Sequence, residues 1–290
     1  MNAPLDRRIH AVREDLADSR LKGRVEAARF VDGEPMRVVL PAAPLRRRPM
    51  PDAPLETEAL LGEPALVFEH TAEGWAWVQL EGDGYVGWMP QAALGPSSEE
   101  PTHVVSVPRT LLFPGPDIKL PPIDGLPLGA RVTATGEAQD RNATYRLIAG
   151  QAGLSGAVVA QHLAPLKSFE PDFVAVAERF LGVPYLWGGK TMLGIDCSGL
   201  VQMALTMSGQ SAPRDTDMQE QMLGTPLADD AALARGDLVF WKGHVGIMRD
   251  AETLLHANAF HMMTAVEPLA ETVARYSAKG VEITSMRRLA

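Results

Sequence analysis

The sequence predicts a multidomain chain: two small β-barrels followed by an α+β domain with an antiparallel sheet. Three observations carry this. Short extended runs broken by glycine fill the first half of the chain, one such block occurs twice, and beyond Pro171 helical periodicity comes first and strand-like runs afterward. With 290 residues there is room for one large domain or two to three small ones. The expected divisions are a helical or extended segment over 1–35, a first barrel over 36–98, a second, degenerate barrel over 99–166, and the α+β domain over 167–290.

Taken in order, Met1 to Leu21 carries Asp6, Arg7, Arg8, Arg13, Glu14, Asp15 and Asp18 and has no continuous apolar core, so it does not read as a secretory signal. No run approaches the roughly 18 apolar residues of a membrane span. A cytoplasmic protein is the expectation, a compartment that suits a single reduced cysteine. Pro41 to Pro54 is proline-rich and holds Arg46, Arg47 and Arg48, which predicts an exposed connector. Extended runs follow at 65–69, 75–80 and 85–88, as in a small antiparallel barrel.

The block Gly84-Tyr85-Val86-Gly87-Trp88-Met89-Pro90-Gln91-Ala92-Ala93-Leu94-Gly95-Pro96 aligns with Gly153-Leu154-Ser155-Gly156-Ala157-Val158-Val159-Ala160-Gln161-His162-Leu163-Ala164-Pro165, and Leu61-Gly62 matches Leu128-Gly129. Trp75, Trp77, Tyr85 and Trp88 fall in the first copy, where the second has only Tyr145, so the first is the expected ligand-contacting barrel. At least one of the tryptophans is expected in the barrel core.

In the last domain, Phe173, Val174, Ala177, Phe180 and Leu181 share a helical face between Pro171 and Gly182. A second helix is expected from Cys197 to about Ser208, burying Leu200, Val201, Ala204 and Leu205, with Gly209 as its stop. Strands are expected at 237–241, 245–248, 253–258 and 281–286. Thr216 and Gln219 have the spacing of a helix capping box, with Asp215 just outside it.

Hydrophobic residues make up 46% and charged residues 22% of the chain, an ordinary globular balance. The net charge of −9 and the lack of a basic stretch interleaved with aromatics argue against nucleic acid or anionic membrane as partners and suit cationic or amine-bearing ligands.

Cys197 is the only cysteine, so an internal disulfide is impossible and its uses are packing or chemistry. The first turn of a helix offers unpaired N–H groups and partial positive charge that stabilise a thiolate. A cysteine nucleophile needs a base, and the base needs an orienting group. His244 and His256, on neighbouring predicted strands, supply both: Cys197 as nucleophile, His244 as general base and acid, His256 as orienting member. Asn258 shares strand parity with His256 and is an alternative orienting group, while His261 has the opposite parity. Zinc-type spacings are absent, so no metal or other cofactor is expected.

Five blocks, Pro184-Tyr185-Leu186-Trp187-Gly188-Gly189, Asp196-Cys197-Ser198-Gly199-Leu200-Val201, Arg235-Gly236-Asp237-Leu238-Val239-Phe240-Trp241, His244-Val245-Gly246-Ile247 and His256-Ala257, resemble in composition and order the NlpC-type peptidoglycan peptidases, which are papain-like. The Gly-Tyr-Val-Gly-Trp run and its turn glycines resemble bacterial SH3-like domains. The resemblance implies Tyr185 at the oxyanion hole, Trp187 lining the cleft, Ser198 beside the substrate, and Asp215 with Thr216 at the substrate amine, Thr216 standing where the family usually has serine. The combination resembles the γ-D-glutamyl-L-diamino-acid endopeptidases of cell-wall peptide recycling. It implies short stem peptides with a free L-alanine amine as substrate, Tyr85 and Glu58 (or neighbouring Glu63) completing the amine pocket. An acyltransferase or amidase of the same type, and a non-catalytic peptide-binding module, are the alternatives; a Cys197 that resists alkylation at neutral pH would favour the last.

Overall fold

The computed structural model describes residues 5–97, 100–149, 154–228 and 230–289. It divides into two compact units, Met1–Ser168 and Phe169–Ala290. Among the described residues no helix is long and apolar enough to cross a membrane.

The first unit opens with a short parallel pair, Leu16–Asp18 against Arg29–Val31, linked by a 3₁₀ turn over Ser19–Leu21 that Asp18 caps through its carboxylate. The described part of this segment is extended and contains no α-helix. A seven-stranded antiparallel sheet follows, in the order Leu55–Leu60, Ala42–Arg46, Val86–Pro90, Trp75–Leu80, Pro64–His70, Glu34–Val38, Leu94–Pro96. Its interior is built by strand alternation, with Val38, Ala43, Leu45, Val67, Val78, Leu80 and Met89 in one apolar cluster. The stretch expected as a connector, Pro41 to Pro54, therefore contains a strand. Ala43 and Leu45 alternate inward, and Pro44 sits between them opposite Glu58. Proline content misled here because the alternation of the two buried residues decides the conformation.

Two further sheets, five-stranded (Asp124–Pro127, Arg109–Phe113, Gly156–Val159, Thr144–Ile148, Ala134–Gln139) and three-stranded (Arg131–Val132, His103–Val105, Leu163–Pro165), share a cluster with Val105, Leu112, Leu126, Val132, Ile148 and Val158. The internal repeat has local structural counterparts. Gln91–Ala93 and Ala160–His162 are both 3₁₀ turns leading into a short strand. Gly62 and Gly129 both take positive φ, 78° and 86°. Gly87 and Gly156 each lie where a Cβ would collide with a neighbouring strand, at 2.7 Å from Leu45 Cγ and 2.2 Å from Phe113 O. Gly153, also aligned in the repeat, lies outside the described residues.

Among its described residues the second unit has four helices, α1 (Phe173–Glu178), α2 (Cys197–Met207), α3 (Thr216–Met222) and α4 (Leu269–Ser277). Its six-stranded antiparallel sheet runs in the order Thr225–Pro226, Ile283–Arg288, Leu238–Trp241, His244–Met248, Thr253–Asn258, Met263–Pro268. Asp172 caps α1 by accepting from Val174 N and Ala175 N, and the helix ends well before Gly182, so Leu181 is exposed and not on a buried face. Helix α2 is buried along almost its whole length and packs on the strands His244–Met248 and Thr253–Asn258. Every residue of His244–Met248 is buried, as expected of a central strand covered on both faces. The strand Met263–Pro268 and helix α4 fall outside the elements expected from sequence.

Candidate active site

Asp196 organises the start of α2. One carboxylate oxygen accepts from Gly199 N at 2.7 Å, capping the helix, and the other from Gly188 N at 2.8 Å. The guanidinium of Arg214, 1% exposed, pairs with both oxygens at 2.9 and 2.7 Å and donates to Ser198 Oγ at 2.8 Å. A bidentate pair of this kind fixes geometry as well as charge. Gly199 must be glycine, because a Cβ there would lie 2.5 Å from Gly189 O.

This frame holds Cys197 at the first position of α2, buried against the sheet. Its sulfur takes a hydrogen bond from Val245 N–H and lies 3.8 Å from Thr216 Oγ1. Burial raises the thiol to about 11, and the charge of Asp196 adds to this; Val245, Thr216 and Arg214 work the other way without winning. The resting group is thus a neutral thiol, where the helix terminus alone would have favoured thiolate. Desolvation of a buried sulfur outweighs a terminal dipole whose effect is about 1–2 kcal/mol at most.

The histidines lie where adjacent antiparallel strands bring them. His244 Nε2 is 2.8 Å from His256 Nδ1, and His256 Nε2 is 2.8 Å from Glu267 Oε1. Glu267 comes from Met263–Pro268, where His256 pairs with Ala265 and Glu267 stands two residues further on the same face. Arg275 of α4 binds both Glu267 oxygens, at 3.0 Å to Oε2 and more closely to Oε1. Burial would raise the Glu267 carboxyl, but hydrogen bonds from Arg275, Thr272 and His256 prevail and bring it to about 2. Burial lowers His244 to about 3, with the charges of His256 and Arg275 adding to the effect, and lowers His256 to about 4 despite Glu267. Both rings are neutral at neutral pH. The His244 ring stacks on Tyr276 at 5.5 Å and packs beside Trp241 at 5.8 Å.

The remaining expected residues are placed as follows. Tyr185 is half-buried, and burial raises its hydroxyl, with neighbouring Cys197 and Asp196 adding to this. Trp187 is 66% exposed. Ser198 is buried with its hydroxyl engaged by Arg214 and Asp196. Asn258 Oδ1 accepts from His261 N at 2.8 Å, so its side chain serves the following turn while His256 contacts His244. The N-cap of α3 is Asp215, one residue before the expected capping box, and Gln219 Nε2 donates to Ser198 O and Pro213 O; Thr216 is left to face the sulfur.

In the first unit, Tyr85 is not the ligand-contacting residue expected from its glycine-flanked run but is buried in the sheet's apolar cluster, because its aromatic ring fills the sheet's apolar interior; Glu58 lies on Leu55–Leu60, and Glu63 Oε2 accepts from Leu60 N. Trp77 is core, clustered with Ala11, Leu16 and Phe68, and Arg13 lies over it at 4.4 Å and over Trp88 at 5.1 Å. Glu267, Arg275, Tyr276 and Arg214 were not anticipated from sequence. The alternation in Met263-Thr264-Ala265-Val266-Glu267 was the signal available for the first.

Among the described residues, His256, His261 and Glu267 bring possible ligand atoms within 4.8 Å of one another. The Glu267 oxygens are already taken by Arg275 and His256, which makes the group an ion-paired hydrogen-bond cluster.

Residues 182–281 match the NlpC/P60 family, and residues 45–94 match the bacterial dipeptidyl-peptidase Sh3 domain. The chain combines an SH3-like domain with an NlpC/P60 domain and is a cysteine peptidase. It is similar to the gamma-D-glutamyl-L-lysine dipeptidyl-peptidase of Bacillus subtilis (strain 168), with 29% identity over 255 residues, 77% of this chain and 78% of that one. The protein of the same name in Bacillus cereus (strain ATCC 10987 / NRS 248) is 27% identical over 241 residues, 74% of this chain and 71% of that one. The crystal structure of an NlpC/P60 family protein from Bacillus cereus ATCC 10987 shares the fold, with a TM-score of 0.72 at 22% identity, covering 88% of this chain and 99% of that chain.

Proposed function

We propose that this chain hydrolyses the bond between γ-D-glutamate and a diamino acid in short cell-wall peptides bearing a free N-terminal L-alanine, as a recycling enzyme of the cytoplasm. The observation that carries the chemistry is the hydrogen-bonded line from His244 through His256 to Glu267, on the sheet against which the Cys197 helix packs. The names of the two similar peptidases support the bond assignment.

In this reading the neutral Cys197 thiol gives its proton to His244 as the sulfur attacks the carbonyl. The Tyr185 hydroxyl and the Cys197 backbone N–H receive the oxyanion. His244 returns the proton to the departing amine, leaving a thioester, and a water activated by His244 then releases the free γ-carboxylate. His256 orients His244 throughout. Asp215 and Thr216 hold the substrate amine, and Trp187 and Ser198 border the substrate. The Asp215 carboxylate holds the ammonium, a charge that an N-acetylated peptide lacks. The catalytic domain is papain-like, and the sheets over 103–165 are a second SH3-like copy without the aromatic set of the first.

Purified protein is incubated with L-Ala-γ-D-Glu-diaminopimelate and with its N-acetylated form, and products are read by mass spectrometry. Release of diaminopimelate from the free-amine peptide alone is expected. Equal turnover of both peptides would remove the amine pocket, and turnover of neither would remove the substrate assignment. Cys197→Ser should abolish hydrolysis.

A further inference from the structure

We propose that Glu267 is a positioning residue that fixes the tautomers of both active-site imidazoles, leaving Nδ1 of His244 as the unprotonated nitrogen that takes the proton of Cys197. The inference rests on the proposed roles of Cys197 and His244 and adds a residue that acts through two others.

The argument runs from the acceptor end. Glu267 is held as a carboxylate by Arg275, so it can only accept hydrogen bonds. His256 Nε2, 2.8 Å away, must therefore be the protonated nitrogen of that ring. A neutral imidazole carries one N–H, so His256 Nδ1 is bare and can only accept. His244 Nε2, 2.8 Å from it, must then be the donor, which makes Nδ1 the bare nitrogen of His244. One charge at the end of the line thus determines where the lone pair lies at the other end.

When His244 takes a proton, its Nε2–H already points at an acceptor, so the imidazolium keeps the hydrogen bond the neutral ring had. Other groups around the rings set orientation and not tautomer. Tyr276 and Trp241 pack on the His244 ring without bonding to its nitrogens, and Thr272 and Arg275 serve Glu267. His261 faces Asn258.

Glu267→Gln keeps the shape and removes the constraint, because the amide can turn either its oxygen or its NH₂ toward His256. The full-length wild-type and variant proteins, labelled with ¹⁵N-histidine, are compared by long-range ¹H–¹⁵N correlation at neutral pH. Steady-state rates are measured alongside on L-Ala-γ-D-Glu-diaminopimelate. Expected are Nε2–H tautomers at both His244 and His256 in the wild type. In the variant an Nδ1–H form of His256 should emerge, with kcat lower by at least about tenfold and KM within about twofold.

A wild-type spectrum with Nδ1 protonated on either ring overturns the proposal, even if the variant does not fold. So does a variant whose tautomers are unchanged, whatever its rate, or one whose kcat stays within about twofold of wild type. Wild-type protein that fails to cleave this peptide would count against the proposed substrate and not against the tautomer assignment, which the spectra decide alone.

Discussion

Cys197 sits at a helix N-terminus, where unpaired N–H groups favour negative charge, and is also buried, which disfavours it; the second effect is larger, and the thiol rises to about 11. With His244 lowered to about 3, thiol and imidazole are both neutral at rest, and in the proposed mechanism charge separates only when the sulfur attacks. Iodoacetamide should therefore modify Cys197 slowly at pH 7, the rate rising close to tenfold per pH unit from about 7 to 10 because it follows the thiolate fraction. A plateau between pH 5 and 7 would mean a preformed thiolate–imidazolium pair and would contradict this. Slow alkylation at neutral pH was the sign expected of a non-catalytic relic, but burial of a working nucleophile produces the same slowness, so turnover is the observation that separates the two. The lone cysteine and two histidines could be singled out in the sequence because few residue types perform the proposed chemistry. Glu267 was not, since its importance depends on a cross-strand neighbour, His256, that only the pairing register supplies.

At the scale of elements, the proposed nucleophile depends on the loop-to-helix junction that Asp196 and Arg214 hold together from 18 residues apart in sequence. Arg214 is 1% exposed, so removing it strands a buried carboxylate whose remaining bonds come from Gly188 N–H, Gly199 N–H and Ser198. Arg214→Met should cost about 3–5 kcal/mol in urea unfolding of the full chain. Arg214→Lys should recover only part of this, because an ammonium cannot reproduce the two parallel bonds. A loss below about 1 kcal/mol for the methionine variant would show that the pair is dispensable. Helix α2 was readable because its apolar residues follow Asp196 and stop before Gly209, whose φ is 79°. Helix α4 was overlooked although Leu269, Val273 and Tyr276 have helical spacing and pack on the sheet's apolar cluster, and its importance lies in Arg275 and Tyr276 reaching the histidine line. The strand Ala42–Arg46 was hidden by the prolines and arginines around two inward-facing residues.

At the scale of the whole molecule, the division into a β-rich first part and an α+β second part was legible because periodicity changes near Pro171, and the unit boundary falls at Ser168 and Phe169. The repeated block was legible because turn glycines at 62 and 129, and close-approach glycines at 87 and 156, are dictated by backbone geometry and not by the side chains that differ. What composition does not convey is the acid sensitivity built into the second unit. His244 and His256 are lowered to about 3 and 4 in the fold, both below the ordinary value of about 6.5 that the unfolded chain recovers. The unfolded state therefore binds more protons than the native state between those limits. The stability that neutral burial permits is fully present above about pH 6.5 and is lost as pH falls toward 4. Two such groups give a slope approaching two protons, roughly 2–3 kcal/mol per pH unit in the steepest region. The charged groups facing these rings, Glu267 and Arg275, stay ionised through this range, so they do not cancel the effect. Urea unfolding of the full chain, followed by tryptophan fluorescence at pH 7, 6 and 5, should show the midpoint falling with increasing steepness, and His256→Gln should reduce the pH dependence by about one proton. A midpoint unchanged between pH 7 and 5 would mean that the buried imidazoles accept protons in the native state, and the neutral resting site inferred for catalysis would have to be abandoned with it.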